Sequence, residues 1–190
     1  KTTFLNLLGG VSIPDNGTIS IMDTNMSALG SAGRDAFRAE HIGFIFQMFN
    51  LIPYLSLIEN VTLPCRFSAT RRQRVLSQAK TLEEEAKRIL SALELDVTTI
   101  ASQPVSQLSI GQQQRVAAAR AIIGSPELVI ADEPTSSLDA DVRSSFLDLL
   151  FREVRDAGLT LIFVSHDSSL ESIFDRTVSL TELNQAGQQG

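Results

Sequence analysis

The hydrophobic pattern in the last third of the chain changes between the period of a strand and the period of a helix. Residues 128–131 and 161–164 are short, continuously apolar runs, as expected for strands buried on both faces. Between them, apolar residues recur at helical spacing, and we expect Asp141 to cap this helix and Gly158 to end it. The predicted core-facing residues of the helix are Val142, Phe146, Leu149, Leu150 and Val154. Alternating strands and helices predict a mostly parallel sheet.

Two strands and a helix are predicted in the first fifty residues. The apolar residues of segment 4–8 share one helical face, and the glycine pair at 9–10 is expected to end that helix. Residues 18–21 alternate between polar and apolar, which is typical of a half-buried strand. A further strand covers residues 42–46 and ends at Gln47.

The middle of the chain, residues 55–101, lacks strand patterns and is predicted to be a helical subdomain. Arg71, Arg72 and Arg74 form a basic run within it. We interpret this run as a solvated face rather than a contact with acidic lipid, because cations at the start of a helix oppose its dipole. The whole pattern predicts an α/β fold in which helical segments surround a mostly parallel sheet.

Composition narrows the expected partners of the protein. The 190 residues include 16 Lys plus Arg and 22 Asp plus Glu, so the chain lacks the basic excess with which proteins bind nucleic acid. Cys65 is the single cysteine, and we expect it to be a small buried apolar residue. No apolar run reaches the roughly 18 residues typical of a membrane-spanning helix, so any membrane contact is expected to occur through a partner.

Polar residues follow the predicted strands directly. Asp132 and Glu133 come after four apolar residues, and His166 follows the next strand. Since ligands of open α/β sheets bind beyond the carboxyl ends of the strands, the two carboxylates are candidates for binding magnesium and activating water. Pro134 is expected to hold Glu133 extended, and an acidic turn at a sheet edge is the alternative. His41, near another strand, is interpreted as structural.

Two helix starts are candidates for binding phosphate. Lys1, Thr2 and Thr3 match the end of the phosphate loop G-x-x-x-x-G-K-[ST], although any Lys-Thr pair that opens a helix would look the same. Ser109 and Gln112 satisfy the S-x-x-Q capping box, so a plain cap is the alternative there. The two interpretations are compatible, because a capped helix start presents amide hydrogens to an anion.

Six partial motifs, in this order, resemble the nucleotide-binding domains of ATP-binding cassette (ABC) proteins over essentially the whole chain. The motifs are Lys1-Thr2, Gln47, Leu108 to Gln112, Asp132-Glu133, Ser137-Leu138-Asp139 and His166. The resemblance implies a P-loop NTPase-type fold with helices on both faces of the sheet and a small antiparallel β region. It also implies a single domain, 1–190, in which a helical subdomain with the signature motif, 55–125, interrupts a RecA-like core of 1–54 and 126–190.

The resemblance implies a role for each matching residue. The catalytic residues would be Glu133 as general base, His166 as switch histidine and Gln47 as γ-phosphate sensor. The ATP-binding residues would be Lys1, Thr2, Thr3, Gln47, Ser109, Gly111, Gln112, Asp139 and His166, and the Mg2+ ligands would be Thr2, Gln47 and Asp132. Ile110 departs from the family's L-S-G-G-Q, which is harmless if its φ is negative, because Gly111 is kept.

Within the family, segments 42–53 and 59–61 resemble the lipoprotein-release and macrolide-export type. The resemblance therefore implies an ATPase subunit that pairs head to tail with a second copy, acts on a transmembrane permease subunit, and lies in the cytoplasm on the inner face of the plasma membrane. Because the phosphate-loop match starts at Lys1, we expect a truncated chain that is inactive as numbered. The alternatives are a non-catalytic fragment or interaction module, and a soluble cassette ATPase outside transport.

Overall fold

The computed structural model describes residues 2–100 and 103–183. Lys1, the first residue of the predicted phosphate loop, lies outside this range. The described strands are β1 (Ser20–Ile21), β2 (Thr24–Asn25), β3 (Ile42–Ile45), β4 (Leu128–Asp132) and β5 (Thr160–Val164). The described α-helices are α1 (Thr2–Leu8), α2 (Ser31–His41), α3 (Leu57–Thr62), α4 (Pro64–Phe67), α5 (Ala69–Gln78), α6 (Leu82–Ala92), α7 (Val97–Ile100), α8 (Ile110–Ile122), α9 (Ala140–Asp156) and α10 (Leu180–Leu183). Short 3-10 turns cover Met26–Ala28, Val105–Gln107 and Ser168–Ile173.

The strands β3, β4 and β5 form a parallel sheet in that order. Ile45 pairs with Ala131, and Asp132 pairs with Val164, so the three strands end at the same edge. The strands β1 and β2 pair antiparallel in a separate small sheet. The predicted α/β fold, with its parallel sheet and small antiparallel region, is confirmed.

Helices cover both faces of the parallel sheet. Successive residues of a strand point to opposite faces. On one face, Val129 and Ala131 belong to a large apolar cluster that extends into α8 and α9. On the other face, Leu128 and Ile130 pack with Leu5 of α1. The expected layering of helix, sheet and helix is therefore present.

The region between β3 and β4 is helical, as the absence of strand patterns predicts. The helices α3 to α7 lie within it, and Leu57, Leu90 and Cys65 are buried there. Burial raises the pKa of the Cys65 thiol, in agreement with its interpretation as a small apolar residue. These side chains and Val129 of the sheet belong to one continuous cluster, so the division into a helical subdomain and a RecA-like core stays a prediction.

The basic run in α5 is not a solvated face, and that interpretation was wrong. Arg71 is only 1% exposed, and its guanidinium donates to the carbonyl oxygens of Ala121 at 2.8 Å and Ile123 at 2.9 Å. These carbonyls lie at the C-terminal end of α8, where the helix dipole attracts a cation. Of the three arginines, Arg72 is the one that stays exposed. The burial of Arg71 could not be expected from the sequence of α5, because it results from packing against the end of α8.

A polar network continues from α5 to the start of β4. Arg74 of α5 forms an ion pair with Glu127 at 2.5 Å and donates to the carbonyl oxygen of Ser125 at 2.7 Å. Glu127 also contacts the ring nitrogen Nδ1 of His41 at 2.9 Å, at the end of α2. His41 thus joins two elements of the fold, which agrees with its structural interpretation.

The helix α9 begins earlier than expected. Asp139 occupies the N-cap position, so Asp141 lies in the first turn and is not the cap. A carboxylate there still lies close to the positive end of the helix dipole. Val142, expected in the core, is 39% exposed and lies near Gly111 at the start of α8, so that expectation was wrong. The other four predicted core residues are buried. Gly158 ends the helix with a φ of 66°, as predicted.

Candidate functional site

Four residues predicted to act on nucleotide follow the three parallel strands at one edge of the sheet. Gln47 lies in the turn after β3, Asp132 is the last residue of β4, Glu133 follows it, and His166 follows β5 by two residues. Because the strands end in register, the topology alone brings these residues to a common edge.

The carboxylate of Glu133 and the imidazole of His166 are in direct contact. Glu133 Oε1 lies 2.8 Å from His166 Nε2, with side-chain exposures of 19% and 74%. A cavity of about 100 Å3 adjoins the pair and is also lined by Thr135, Ser136 and other residues of the two segments. The carboxylate, a candidate proton acceptor, is therefore partly shielded from solvent, and the imidazole ring beside it is exposed.

The backbone of Glu133 is left-handed rather than extended, so that expectation was wrong. Its φ is 45°, its N–H donates to the carbonyl oxygen of Val164 at 3.0 Å, and its own carbonyl accepts from Ser136 at 3.2 Å. Pro134 disfavours the right-handed helical conformation of the preceding residue, and here the turn uses the left-handed region instead. A non-glycine residue in this region costs about 1–3 kcal/mol, and such strain is common at functional sites.

A buried glutamine of α8 supports this turn. Gln114 is 0% exposed, and its Nε2 donates to the carbonyl oxygen of Pro134 at 2.5 Å. The sequence analysis did not identify this residue. The sequence contained a signal for it, since an amide side chain on the buried face of a helix requires a hydrogen-bond partner from another segment.

The segment that carries His166 is also tied to a helix. Arg143 Nη1 of α9 donates to Asp167 Oδ2 at 2.5 Å, directly after His166. Hydrogen bonds from Ser169, followed by the charge of Arg143, lower the pKa of Asp167. This pair too was not identified from the sequence, because nothing in the spacing of residues 143 and 167 connects them.

The helix start at Ser109 forms the predicted capping box. Ser109 Oγ accepts from the backbone of Gln112 at 3.3 Å, and Gln112 Oε1 accepts from the backbone of Ser109 at 2.8 Å. Ile110 does not have a positive φ, so its replacement of glycine causes no strain. Gly111 is helical, and a Cβ added there would meet only Val142 Cγ1 at the ordinary distance of 3.7 Å.

Several predicted ligands are not gathered around the Glu133–His166 cavity. Thr2 and Thr3 are exposed at the start of α1, and Asp139 is exposed at the start of α9. Neither these residues nor Gln47 and the capping box of α8 line the cavity. Within the described ranges, no group of three or more His, Cys, Asp or Glu side chains is placed to hold a metal ion. Asp132 and Gln47 lie at the shared edge of the parallel strands, at the end of β4 and in the turn after β3.

Comparison with known proteins identifies relatives over nearly the whole chain. The family model described as ABC transporter matches residues 1–136. The lipoprotein-releasing system ATP-binding protein LolD of Syntrophotalea carbinolica is 36% identical over 96% of this chain and 76% of its own length. The macrolide export ATP-binding/permease protein MacB of Rhodopirellula baltica is 36% identical over 96% of this chain, which corresponds to 26% of that longer protein.

A solved structure supports the same relationship. The dimeric post-hydrolysis state of the ATP-binding cassette MJ0796, bound to ADP and Pi, superposes with a TM-score of 0.72 at 35% sequence identity. The match covers 89% of this chain and 71% of that one. In residues 2–100 and 103–183, no helix has the length and apolar character needed to cross a membrane.

Proposed function

Because the chain belongs to the ABC transporter family, we propose that it is the ATP-binding and ATP-hydrolysing subunit of a transporter and powers a membrane partner. The relatives named for lipoprotein release and macrolide export support the proposal that the membrane partner exports or extracts its substrate. The single observation that carries the enzymatic part is the contact of Glu133 with His166 at the shared edge of the parallel strands.

In this proposal Glu133 is the general base. Its carboxylate accepts a proton from the water whose oxygen attacks the γ-phosphorus of ATP, while the bond between that phosphorus and the bridging oxygen breaks and ADP leaves. His166 orients the carboxylate at 2.8 Å and, being 74% exposed, is free to turn toward the phosphate. The fixed turn after β4 supports the role, because a base must be held in one geometry to be effective.

The chemistry of the candidate donors fits Mg2+. Asp132 supplies a carboxylate at the end of β4, Gln47 supplies an amide oxygen after β3, and Thr2 supplies a hydroxyl at the start of α1, all of the chemical type that Mg2+ prefers. Mg2+ is usually held by one or two carboxylates together with substrate phosphates. When bound, it would neutralise charge on the phosphates. Thr3 and Lys1 are proposed to contact the same phosphates.

We assign Ser109, Gly111 and Gln112 to the ATP site of a second copy of the chain. The glycine supports this assignment, because space for a Cβ exists at position 111 within one copy and nothing in the fold requires its absence. A missing side chain at a helix start allows a phosphate to approach the backbone amides. The relative MJ0796 is dimeric with bound ADP and Pi. Asp139, exposed at the start of α9, is proposed to lie in the same interface.

A permease subunit is the proposed membrane partner. A groove of about 400 Å3 lies between α2, β3 and α4, and two large apolar side chains that line it are exposed, Phe46 by 37% and Phe67 by 72%. Exposed apolar side chains beside a groove are typical of a surface that another protein covers. The groove adjoins Gln47, so a partner seated there would sense the state of the nucleotide.

The test of the enzymatic proposal uses the chain preceded by a complete phosphate-binding loop, referred to below as the extended protein. Glu133→Gln removes the proton acceptor but keeps the shape, so ATP binding should persist while steady-state phosphate release falls by about 10²–10⁴-fold. Asp148→Asn, at an exposed position of α9, is the matched control and should leave turnover unchanged. Near-normal phosphate release by Glu133→Gln would remove Glu133 from the role of base.

A further inference from the structure

Arg120 connects α8 to the segment that carries Gln47. It lies in the last turn of α8 and is 9% exposed. Its Nη1 donates to the carbonyl oxygen of Asn50 at 2.7 Å, and its Nη2 donates to that of Phe49 at 2.5 Å. Both ends of one planar guanidinium thus bind two consecutive carbonyls, which fixes their direction as well as their position.

The segment held in this way is strained. Phe49 and Asn50 have the left-handed φ angles of 59° and 48°. This conformation costs roughly 1–2 kcal/mol for Phe49, whereas asparagine adopts it more readily. The backbone hydrogen bonds of the turn are short-range, from Phe49 to Phe46 at 3.0 Å and from Asn50 to Met48 at 2.6 Å. A bulky residue in this conformation persists only where surrounding contacts hold it.

The contact is costly in itself. Burial lowers the pKa of Arg120, and no charged neighbour in the described part of the chain offsets this effect. A buried guanidinium bound only to carbonyl oxygens is a poor way to stabilise a fold, because its desolvation offsets much of the gain. It is, however, an effective way to hold a short backbone segment in one conformation.

We propose that Arg120 is a positioning residue that holds segment 46–50 so that the side chain of Gln47 is presented to the nucleotide. The proposal rests on the function proposed above for Gln47. Its new content is that the conformation of this segment depends on a side chain of α8, the helix whose other end carries Ser109 and Gln112. Arg120 does not contact the nucleotide and acts only through the backbone of Phe49 and Asn50.

A spectroscopic experiment tests the positioning role without ATP. The 190 residues contain no tryptophan, so Met48→Trp, at a side chain that is 80% exposed and next to Gln47, introduces a fluorescent probe into the segment. In the extended protein, Arg120→Met should increase the amplitude of nanosecond motion in the anisotropy decay, and Arg120→Lys should have a smaller effect. Arg115→Met is the matched control on the same helix, because Arg115 is partly exposed and donates to the carbonyl oxygen of Glu94, away from segment 46–50. Equal decays for Arg120→Met and the control would overturn the proposal.

Kinetics then separate positioning from a general loss of structure. Arg120→Met should lower the kcat for ATP about tenfold with little change in KM, and Arg120→Lys should recover part of the loss. In the Gln47→Ala background, the further loss caused by Arg120→Met should be less than about twofold, because groups that act as a unit are not additive. Additive losses would overturn the positioning role.

Unchanged turnover in Gln47→Ala alone would instead remove Gln47 from the proposed site, and the anisotropy result would still decide whether Arg120 holds the segment. If Arg120→Met does not fold, Arg120→Lys decides both experiments, because an effect no larger than that of Arg115→Met would overturn the proposal.

Discussion

Replacing Arg71 tests whether a buried charge or its apolar stem stabilises the contact between α5 and α8. Arg71→Met keeps a stem of similar length but removes the donors to Ala121 and Ile123. Each buried carbonyl that loses its donor costs about 1–3 kcal/mol, or roughly 4 kcal/mol for the two. In the opposite direction, burial lowers the pKa of Arg71 to about 10. The lowering, of which burial is the largest cause, corresponds to a net cost of about 3 kcal/mol for keeping the charge, and the substitution relieves it.

The two effects nearly cancel, so we expect Arg71→Met to lower the free energy of unfolding by only about 1 kcal/mol. Arg71→Ala also removes the buried stem beyond Cβ, where methylene groups contribute about 0.8 kcal/mol each, and should cost roughly 3–4 kcal/mol in total. In a chain of this size 1 kcal/mol shifts the melting temperature by about 2–4 °C.

Thermal melting of the extended protein measures both variants. Arg72→Met is the control, because Arg72 is the exposed neighbour of Arg71, and it should change stability by less than about 0.5 kcal/mol. Equal melting temperatures for the Met and Ala variants would refute the reasoning, since they would mean that the stem contributes nothing beyond the charge. A loss of stability in the Met variant much larger than about 1 kcal/mol would show that the hydrogen bonds contribute more than desolvation costs.

Three further predictions concern the site and its supports. In the Glu133→Gln background of the extended protein, Ser109→Arg should abolish ATP-dependent dimers in sedimentation, while the free energy of unfolding falls by no more than the roughly 1 kcal/mol of a lost cap. Dimers as abundant as in the parent would mean that Ser109 is a simple cap. His166→Ala should slow phosphate release at least about tenfold without weakening ATP binding, and turnover at the parental rate would contradict its role beside the base. Burial raises the pKa of Glu127, but hydrogen bonds, first that of Arg74, bring it below the ordinary value of 4.5, so this carboxylate stabilises the fold above that pH. The difference in stability between the parent and Glu127→Gln should therefore shrink as the pH falls from about 4.5, and a pH-independent difference in denaturant unfolding would refute the link.

The sequence predicted what depends on local pattern. Apolar runs located β4 and β5, and their alternation with helices predicted parallel strands. Since parallel strands have their carboxyl ends at the same edge of a sheet, Glu133 and His166 could be expected there. The capping box at Ser109 involves residues three apart, and its hydrogen bonds are present as expected. Such features are decided within a few residues of the chain.

Contacts between distant segments could not be predicted in the same way. Arg71 and Ile123 are 52 positions apart, and Arg120 and Phe49 are 71 apart, so no periodicity relates them. In each case a charged side chain meets carbonyl oxygens, and carbonyls are present at every residue. The left-handed turn at Glu133 was mispredicted for a related reason, since its conformation depends on hydrogen bonds with another strand.

The contact between α8 and β3 fixes how closely the last turn of α8 approaches the sheet. A Cβ on Gly43 would overlap the carbonyl oxygen of Ala121, so helix and strand touch backbone to backbone with no layer of side chains between them. Such a contact resists sliding, because any neighbouring residue would bring a side chain into the gap. It lies near one end of α8, and the other end, Ser109, is 12 residues away, or about 18 Å at 1.5 Å per residue. Any residue larger than glycine at position 43 would therefore force the last turn of α8 away from the sheet, and the helix would carry that displacement toward Ser109.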